Sequence, residues 1–204
     1  MKRGVRIQNL GGARAVILHR PHATVVALTR QLTAIGLIVE QVWPDLGSDA
    51  LAADFVFIDA DMGHDAQFPW VPGASPMPMI ALIGSEAPGR IEWSLDVGAH
   101  AQLLKPVGDG GAYSALLIAR TAFDARAALS SEIADLRRRL DERRTVVQAV
   151  MKLAARGKSE ADAYAQLRKM AMAWRVSFED AAARVVGGDG CRWDGGSDDR
   201  RDRG

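Results

Sequence analysis

Prolines divide this chain into two unlike parts. All eight lie at or before Pro106, and none follows it. Because proline removes a backbone donor and clashes with the preceding helical turn, its absence leaves the second part free to form long helices. The first part is limited to shorter elements. At 204 residues the chain has room for one domain of ordinary size and a smaller appendage.

Short apolar segments in the first part have the length and composition of strands. Helical or loop segments, such as residues 24–35, separate them. Such alternation is typical of an α/β fold, in which a parallel sheet is covered by helices on both faces. The predicted strands of this five-stranded sheet are residues 15–18, 37–42, 55–59, 79–83 and 102–104.

A single long helix is predicted from about residue 112 to residue 155. An apolar stripe runs along this helix, and its residues are spaced alternately by about four and three positions. Arg143 interrupts the stripe. The stripe consists of Leu129, Ile133, Leu136, Leu140, Val147 and Val150. A stripe with this spacing is typical of a coiled coil and predicts a homodimer. The alternative is that the stripe packs on the sheet of its own chain.

Two shorter helices are predicted after the long one, over residues 159–174 and 177–186. Each begins with a serine, a residue suited to the N-cap, and carries a glutamate in its first turn. The long helix and these two form a small three-helix C-terminal domain. Residues 188–204 are mostly Gly, Asp and Arg and are predicted to be disordered, because they offer little to bury.

Composition excludes several classes of protein. With 26 Lys and Arg against 25 Asp and Glu, no global basic field exists, so any affinity for nucleic acid must come from local clustering. One cysteine, Cys191, cannot form an internal disulfide or a multi-thiolate metal site. No catalytic constellation, metal site or cofactor-binding loop is predicted. Without a membrane span or signal peptide, a cytoplasmic protein is expected.

Two motifs at predicted strand ends resemble those of response-regulator receiver domains. Asp59-x-x-Met62-Gly63 matches the phosphoacceptor motif, with Gly where Pro is usual, and Lys105-Pro106 matches the lysine and proline of the last strand. The resemblance covers about residues 12–125 and implies a receiver-like, flavodoxin-like sheet. In such open α/β sheets the chemistry lies at the C-terminal strand edge.

The receiver pattern is broken where phosphoryl transfer needs charge. Receivers place an acidic pair after the first strand to hold magnesium, and here those positions are His19 and Arg20. The position of the expected hydroxyl residue after the fourth strand is Ile83, with Ser85 close by. We therefore expect a pseudo-receiver, in which Asp59 and Lys105 form an ion pair and phosphorylation is lost.

The second part resembles the ANTAR-domain family of transcription antiterminators, of the AmiR and NasT type and closest to its AmiR branch. The resemblance rests on Leu-x-x-Arg-x-x-Val-x-x-Ala from Leu140 to Ala149, then on Ser159-Glu160, Leu167-Arg168, Ala171-Met172 and Val185-Val186. The lysine and glycine that follow the alanine in the family are Val150 and Met151 here. The expected domains are a pseudo-receiver (12–125), a coiled-coil linker (126–142), an ANTAR domain (143–187) and a disordered tail (188–204).

The resemblance implies an RNA-binding regulator of transcription antitermination that is not an enzyme. Its expected partners are hairpins of a leader mRNA, a second copy of the chain, and a sensor or repressor protein of the periplasmic-binding-protein type that controls the pseudo-receiver. By their match to the family or by their position in a basic cluster, the expected RNA-binding residues are Arg143, Arg144, Ala149, Lys152, Arg156, Arg168 and Lys169.

Arginines in the C-terminal helices support an anionic partner independently of the family. Guanidinium groups bind phosphate bidentately and stack on unpaired bases. The alternative for any single arginine is an exposed ion pair at helical spacing. Competing hypotheses for the whole chain are a protein-interaction adaptor, a phosphorylatable response regulator without RNA binding, and a DNA-binding regulator, for which no helix-turn-helix pattern is evident.

Overall fold

The computed structural model describes residues 10–188, which divide into two compact units on either side of Leu129 and Ser130. Helix α3 (Ala112–Ala154) contributes residues 112–129 to the first unit and residues 130–154 to the second. Cys191 and residues 189–204 of the predicted disordered tail lie outside the described residues. No helix over residues 10–188 combines the length and the apolar character needed to cross a membrane.

The first unit contains one five-stranded sheet, in which every neighbouring pair of strands is parallel. Its order is β2-β1-β3-β4-β5. The predicted parallel sheet is confirmed, and no strand boundary differs from the prediction by more than one residue. The strands are β1 (Arg14–Leu18), β2 (Ile38–Val42), β3 (Phe55–Asp59), β4 (Met79–Ile83) and β5 (Ala101–Leu104).

Both faces of the sheet are covered, as parallel sheets require. Helix α1 (Ala23–Ile35) and the first turns of α3 pack on one face, where Leu28, Leu32 and Leu116 are fully buried. Helix α2 (Pro88–Asp96) packs on the other face with the two crossovers that follow β2 and β3. Those crossovers contain only short 3-10 turns, Ser48–Ala52 and Asp65–Gln67.

The strand order brings distant residues to one edge. Strand β1 lies between β2 and β3, so the order reverses there, and open α/β sheets place their ligands beyond the carboxyl ends of the strands at such a point. His19 follows β1, Asp59 ends β3 and Lys105 follows β5. The residues that the receiver motifs single out therefore share one edge of the sheet.

The second unit consists of the end of α3 with α4 (Glu160–Trp174) and α5 (Phe178–Gly187). The side chains of Ser159 and Ser177 accept hydrogen bonds from the backbone N–H groups of Asp162 and Asp180, which confirms the two predicted N-caps. Three helices therefore meet as predicted.

Small and branched apolar residues form the core of the second unit. Its fully buried members are Ala149, Ala163, Leu167, Ala181 and Ala182. Val150 also packs in this core, so its assignment to the coiled-coil stripe was wrong. Met170 is buried in this core, whereas Met151 and Met172 are each 67% exposed.

Candidate functional site

Asp59 and Lys105 form an ion pair at the carboxyl edge of the sheet. Asp59 is 3% exposed at the end of β3, and Lys105 Nζ donates a hydrogen bond to its Oδ1 at 2.7 Å. The same ammonium lies 2.5 Å from Asp61 Oδ2. One ammonium thus contacts two carboxylates, and its single positive charge offsets one of their two negative charges.

Asp61 belongs to this site although the sequence interpretation did not single it out. Its carboxylate accepts hydrogen bonds from the backbone N–H groups of Gly84 and Ser85 at 2.8 and 3.0 Å. Burial opposes ionisation, but the hydrogen bonds from Lys105, Ser85 and Gly84 outweigh it and hold the pKa of Asp61 below its ordinary value of 3.8. Its place two residues after Asp59 was the available signal.

Gly84 allows this close contact. A Cβ added there would lie 2.6 Å from Asp61 Oδ2, closer than real side chains approach. The hydrogen bond from Ser85 to the carboxylate comes from its backbone. Ile83, at the position of the expected hydroxyl, is 1% exposed and belongs to the core behind the site.

His19 lies directly against Asp59. Its side chain is 3% exposed, and Nε2 stands 3.2 Å from Asp59 Oδ2, at an angle that does not make a hydrogen bond. Nδ1 lies 2.6 Å from the carbonyl oxygen of Arg20. Since a carbonyl only accepts, Nδ1 carries a proton and fixes the ring in place. The imidazole therefore occupies space beside the carboxylate that a cation would need.

The residues at this edge do not fit a magnesium ion. Mg²⁺ prefers oxygen ligands in near-octahedral geometry. Here both carboxylates already bind the ammonium of Lys105, the imidazole of His19 faces Asp59, and Arg20 adds a second basic side chain. Among residues 10–188, no group of three His, Cys, Asp or Glu side chains is arranged to hold a metal.

Gly63, where receivers usually have proline, is in close contact with Trp93. A Cβ at this position would lie 2.1 Å from Trp93 Cη2 and 2.7 Å from the carbonyl oxygen of Asp59. The indole Nε1 donates a hydrogen bond to Asp65 Oδ1 at 2.9 Å, which holds the ring over the glycine. The departure from the receiver motif thus makes room for an aromatic side chain beside the phosphoacceptor-like aspartate.

The basic residues expected to bind RNA lie mostly on the surface of the second unit. Arg143 and Arg144 are exposed on α3, Arg168 and Lys169 are exposed on α4, and Arg156 is exposed in the turn between the helices. Arg144 lies 3.5 Å from Asp141, and both side chains are more than two-thirds exposed. Within the described chain, Arg143, Arg168 and Lys169 have no carboxylate partner.

Two residues expected to bind RNA make contacts within the second unit. Ala149 is fully buried between the three helices, so the prediction that it faces RNA was wrong. Its small side chain lets the helices approach closely. Lys152 Nζ donates hydrogen bonds to the carbonyls of Val185 and Val186 at 3.0 and 3.2 Å. Its ammonium thereby caps the C-terminal end of α5, where unpaired carbonyls favour a cation.

Two neighbouring arginines on α3 form exposed ion pairs at helical spacing, which is the alternative to RNA contact given above. Arg138 pairs with Asp135 and Glu142, and Arg139 pairs with Asp135, all at helical spacings. Such exposed pairs contribute little to stability, and they leave these arginines partly neutralised. Among the residues expected to bind RNA, Arg143, Arg168 and Lys169 lie outside these ion pairs.

Comparison with known families accounts for both units. Residues 13–120 match the family described as AmiR, N-terminal, and residues 134–186 match the ANTAR domain. The chain belongs to the AmiR family of ANTAR-domain regulators. The interval between the two matches lies inside α3. The receiver-like sheet and the three-helix unit of this AmiR-type chain correspond to the two matched domains.

Individual relatives of this AmiR-type chain are distant. The aliphatic amidase regulator of Pseudomonas aeruginosa is 26% identical over 178 residues, which cover 85% of this chain and 91% of the relative. Full-length FixJ from B. japonicum is 21% identical, and the match covers 87% of this chain and 89% of FixJ with a TM-score of 0.43.

A response regulator from Thermotoga maritima is 17% identical, and the match covers 54% of this chain and 98% of that regulator with a TM-score of 0.42. Both TM-scores are below 0.5. The strand order, and not these likenesses, therefore establishes the receiver-like fold of the AmiR-type N-terminal unit.

Proposed function

We propose that this chain is an RNA-binding regulator of transcription antitermination. The observation that carries the proposal is the exposure of Arg143, Arg168 and Lys169 on the ANTAR unit without carboxylate partners in the described chain. Guanidinium and ammonium groups in this state are available for phosphate, and arginine also stacks on unpaired bases. Hairpins in a leader transcript offer both features, and transcription places the regulator in the cytoplasm.

Two copies of the chain act together in this proposal. Ile133, Leu136 and Leu140 are 41–64% exposed along α3, at the spacing of a coiled-coil seam. A helix surface of this kind is stabilised when a second helix covers it. A homodimer carries two ANTAR units, so one dimer can bind two hairpins of the same RNA and gain affinity from the second contact.

Control of this regulator passes through a protein and not through phosphorylation. The ammonium of Lys105 binds both Asp59 and Asp61, and these are the carboxylates that a magnesium ion at this edge would need. A sensor or repressor protein is therefore the proposed input, of the periplasmic-binding-protein type that the resemblance to the AmiR branch implies. Asp59 and Lys105 hold the pseudo-receiver together and have no catalytic part.

Binding of the full-length chain to RNA with two hairpins tests the proposal. A pool of tandem hairpins with randomised loops yields the probe, and the same hairpin alone is the comparison. We expect the tandem RNA to bind at least tenfold more tightly than the single hairpin. Arg143→Ala and Arg168→Ala are each expected to weaken binding, whereas Arg120→Ala, which removes an exposed pair with Asp124 in the first unit, leaves it unchanged.

Failure of wild-type protein to retain any hairpin RNA contradicts the proposal. The adaptor hypothesis then gains weight, because the exposed Met151 and Met172 are adaptable apolar contacts for a protein partner. If wild type, R143A and R168A bind RNA equally well, the assignment of Arg143 and Arg168 as RNA contacts is wrong, although the protein still binds RNA.

A further inference from the structure

Two aromatic side chains form a ridge on the surface of the ANTAR unit. Tyr164 on α4 is 49% exposed, and its ring centroid lies 4.9 Å from that of Phe178, the first residue of α5. The two rings are inclined at 45°. Phe178 is half-buried against the core, so it supports the tyrosine ring from below while one part of that ring faces solvent.

A groove runs along each side of this ridge. Both grooves share Tyr164, Phe178 and Glu179, and they enclose about 460 and 470 Å³. The first is completed by α3, through Arg139, Glu142, Arg143, Val146 and Val147. The second is completed by Arg168, Ala171, Met172, Arg175 and Val176. Each groove thus combines an apolar floor, an aromatic wall and two guanidinium groups.

The charges of the grooves select an anionic occupant. Arg143 and Arg168 lack carboxylate partners in the described chain, and Arg139 is paired with Asp135. Glu142 is engaged by Arg138. Glu179 is the acidic group common to both grooves, and it lies in the middle of the surface. An anion is therefore favoured at the outer arginines and disfavoured at the centre, as for a nucleotide whose phosphates flank its base.

We propose that Tyr164 is a stacking platform for an unpaired base of the bound RNA. Arg143 and Arg168 bind the phosphates on either side of that base. Glu179 accepts a hydrogen bond from an exocyclic amino group and so favours adenine, guanine or cytosine over uracil. Paired bases are excluded because the faces of a stacked helix are covered, whereas loop bases can be splayed onto an aromatic ring. This site rests on the proposed RNA-binding function and assigns its ligand.

A fluorescent base tests the stacking directly. The tandem hairpin selected above carries 2-aminopurine at each loop position in turn, and full-length protein is added. We expect strong quenching at one loop position with wild type, because stacking on an aromatic ring quenches this base. Tyr164→Phe and Tyr164→Trp retain the quenching, and Tyr164→Leu abolishes it and weakens binding about 5- to 100-fold.

Controls separate stacking from folding and from RNA binding as a whole. Tyr113→Leu, at a 39% exposed tyrosine of the first unit, is the matched substitution and is expected to leave quenching and affinity unchanged. Thermal unfolding of each variant identifies loss of structure, and Y164W reports on stacking even where Y164L unfolds. Wild-type binding without quenching at any loop position overturns the stacking site alone. Absence of any binding by wild type overturns the proposed function and this site together.

Discussion

His19 Nε2 lies 3.2 Å from Asp59 Oδ2, and both side chains are almost completely buried. The ammonium of Lys105 contacts the other oxygen of the same carboxylate. Asp59 is thus enclosed by protein groups on both of its oxygens. Phosphoryl transfer to an aspartate needs an accessible oxygen and a bound metal cation that neutralises the transferred group. Asp59 is 3% exposed, and among residues 10–188 no group of three His, Cys, Asp or Glu side chains is arranged to hold a metal.

Wild-type protein is therefore expected to stay unlabelled when it is incubated with Mg²⁺ and a small phosphodonor. The proposed reason is the missing cation site, which His19→Asp with Arg20→Asp is expected to restore in part. Mass spectrometry of Asp59-containing peptides measures the label. Phosphate on Asp59 of the wild type would contradict the assignment of a pseudo-receiver.

Charge placed in the apolar stripe of α3 is expected to separate the dimer. Leu136→Asp with Leu140→Asp puts like charges in the proposed seam and should raise the dimer dissociation constant at least 100-fold. Sedimentation equilibrium measures it. Leu95→Asp is the control, because Leu95 is 60% exposed in the first unit and lies off this stripe. A monomeric wild type would refute the coiled coil.

Asp61 is expected to make stability depend on pH in the acid range. Its folded-state pKa is lowered by hydrogen bonds from Lys105, Ser85 and Gly84, against the opposing effect of burial. The stabilisation is therefore present above the ordinary pKa of 3.8 and is lost as pH falls through the lower folded-state value. Wild type should exceed Asp61→Asn in urea stability at pH 7, and the difference should shrink towards pH 3. A constant difference would contradict this role.

A substitution at Ala149 tests whether this residue packs in the core or contacts RNA. Ala149→Leu overfills the centre of the three helices and is expected to lower the free energy of unfolding by about 1–3 kcal/mol. Ala165→Leu, at an exposed position of α4, should change it by less than about 0.5 kcal/mol. Urea unfolding of both variants measures the difference. An equally stable A149L protein would show that the position is open and would restore Ala149 as a candidate contact.

Local patterns were sufficient to predict most of the fold. The strands were recognisable because fully buried parallel strands such as Phe55–Asp59 and Met79–Ile83 are continuous apolar runs bounded by turn residues. The two short helices were recognisable from their capping serines, Ser159 and Ser177. These signals depend on residues that are neighbours in the chain, so they can be recognised in a single sequence.

The parts of the site that depend on tertiary contact were not predictable in the same way. The position of His19 against Asp59 and that of Trp93 over Gly63 join residues far apart in the chain. The burial of Ala149 depends on how three helices meet, and no local pattern specifies that.

Salt titration of the binding of full-length protein to the tandem hairpin RNA tests the central claim most directly. Release of counterions from phosphates makes the logarithm of the binding constant fall linearly with the logarithm of salt concentration. We expect a steep negative slope for wild type and a slope smaller by about one for each arginine removed at Arg143 or Arg168. A flat titration, or slopes that R143A and R168A leave unchanged, would contradict it.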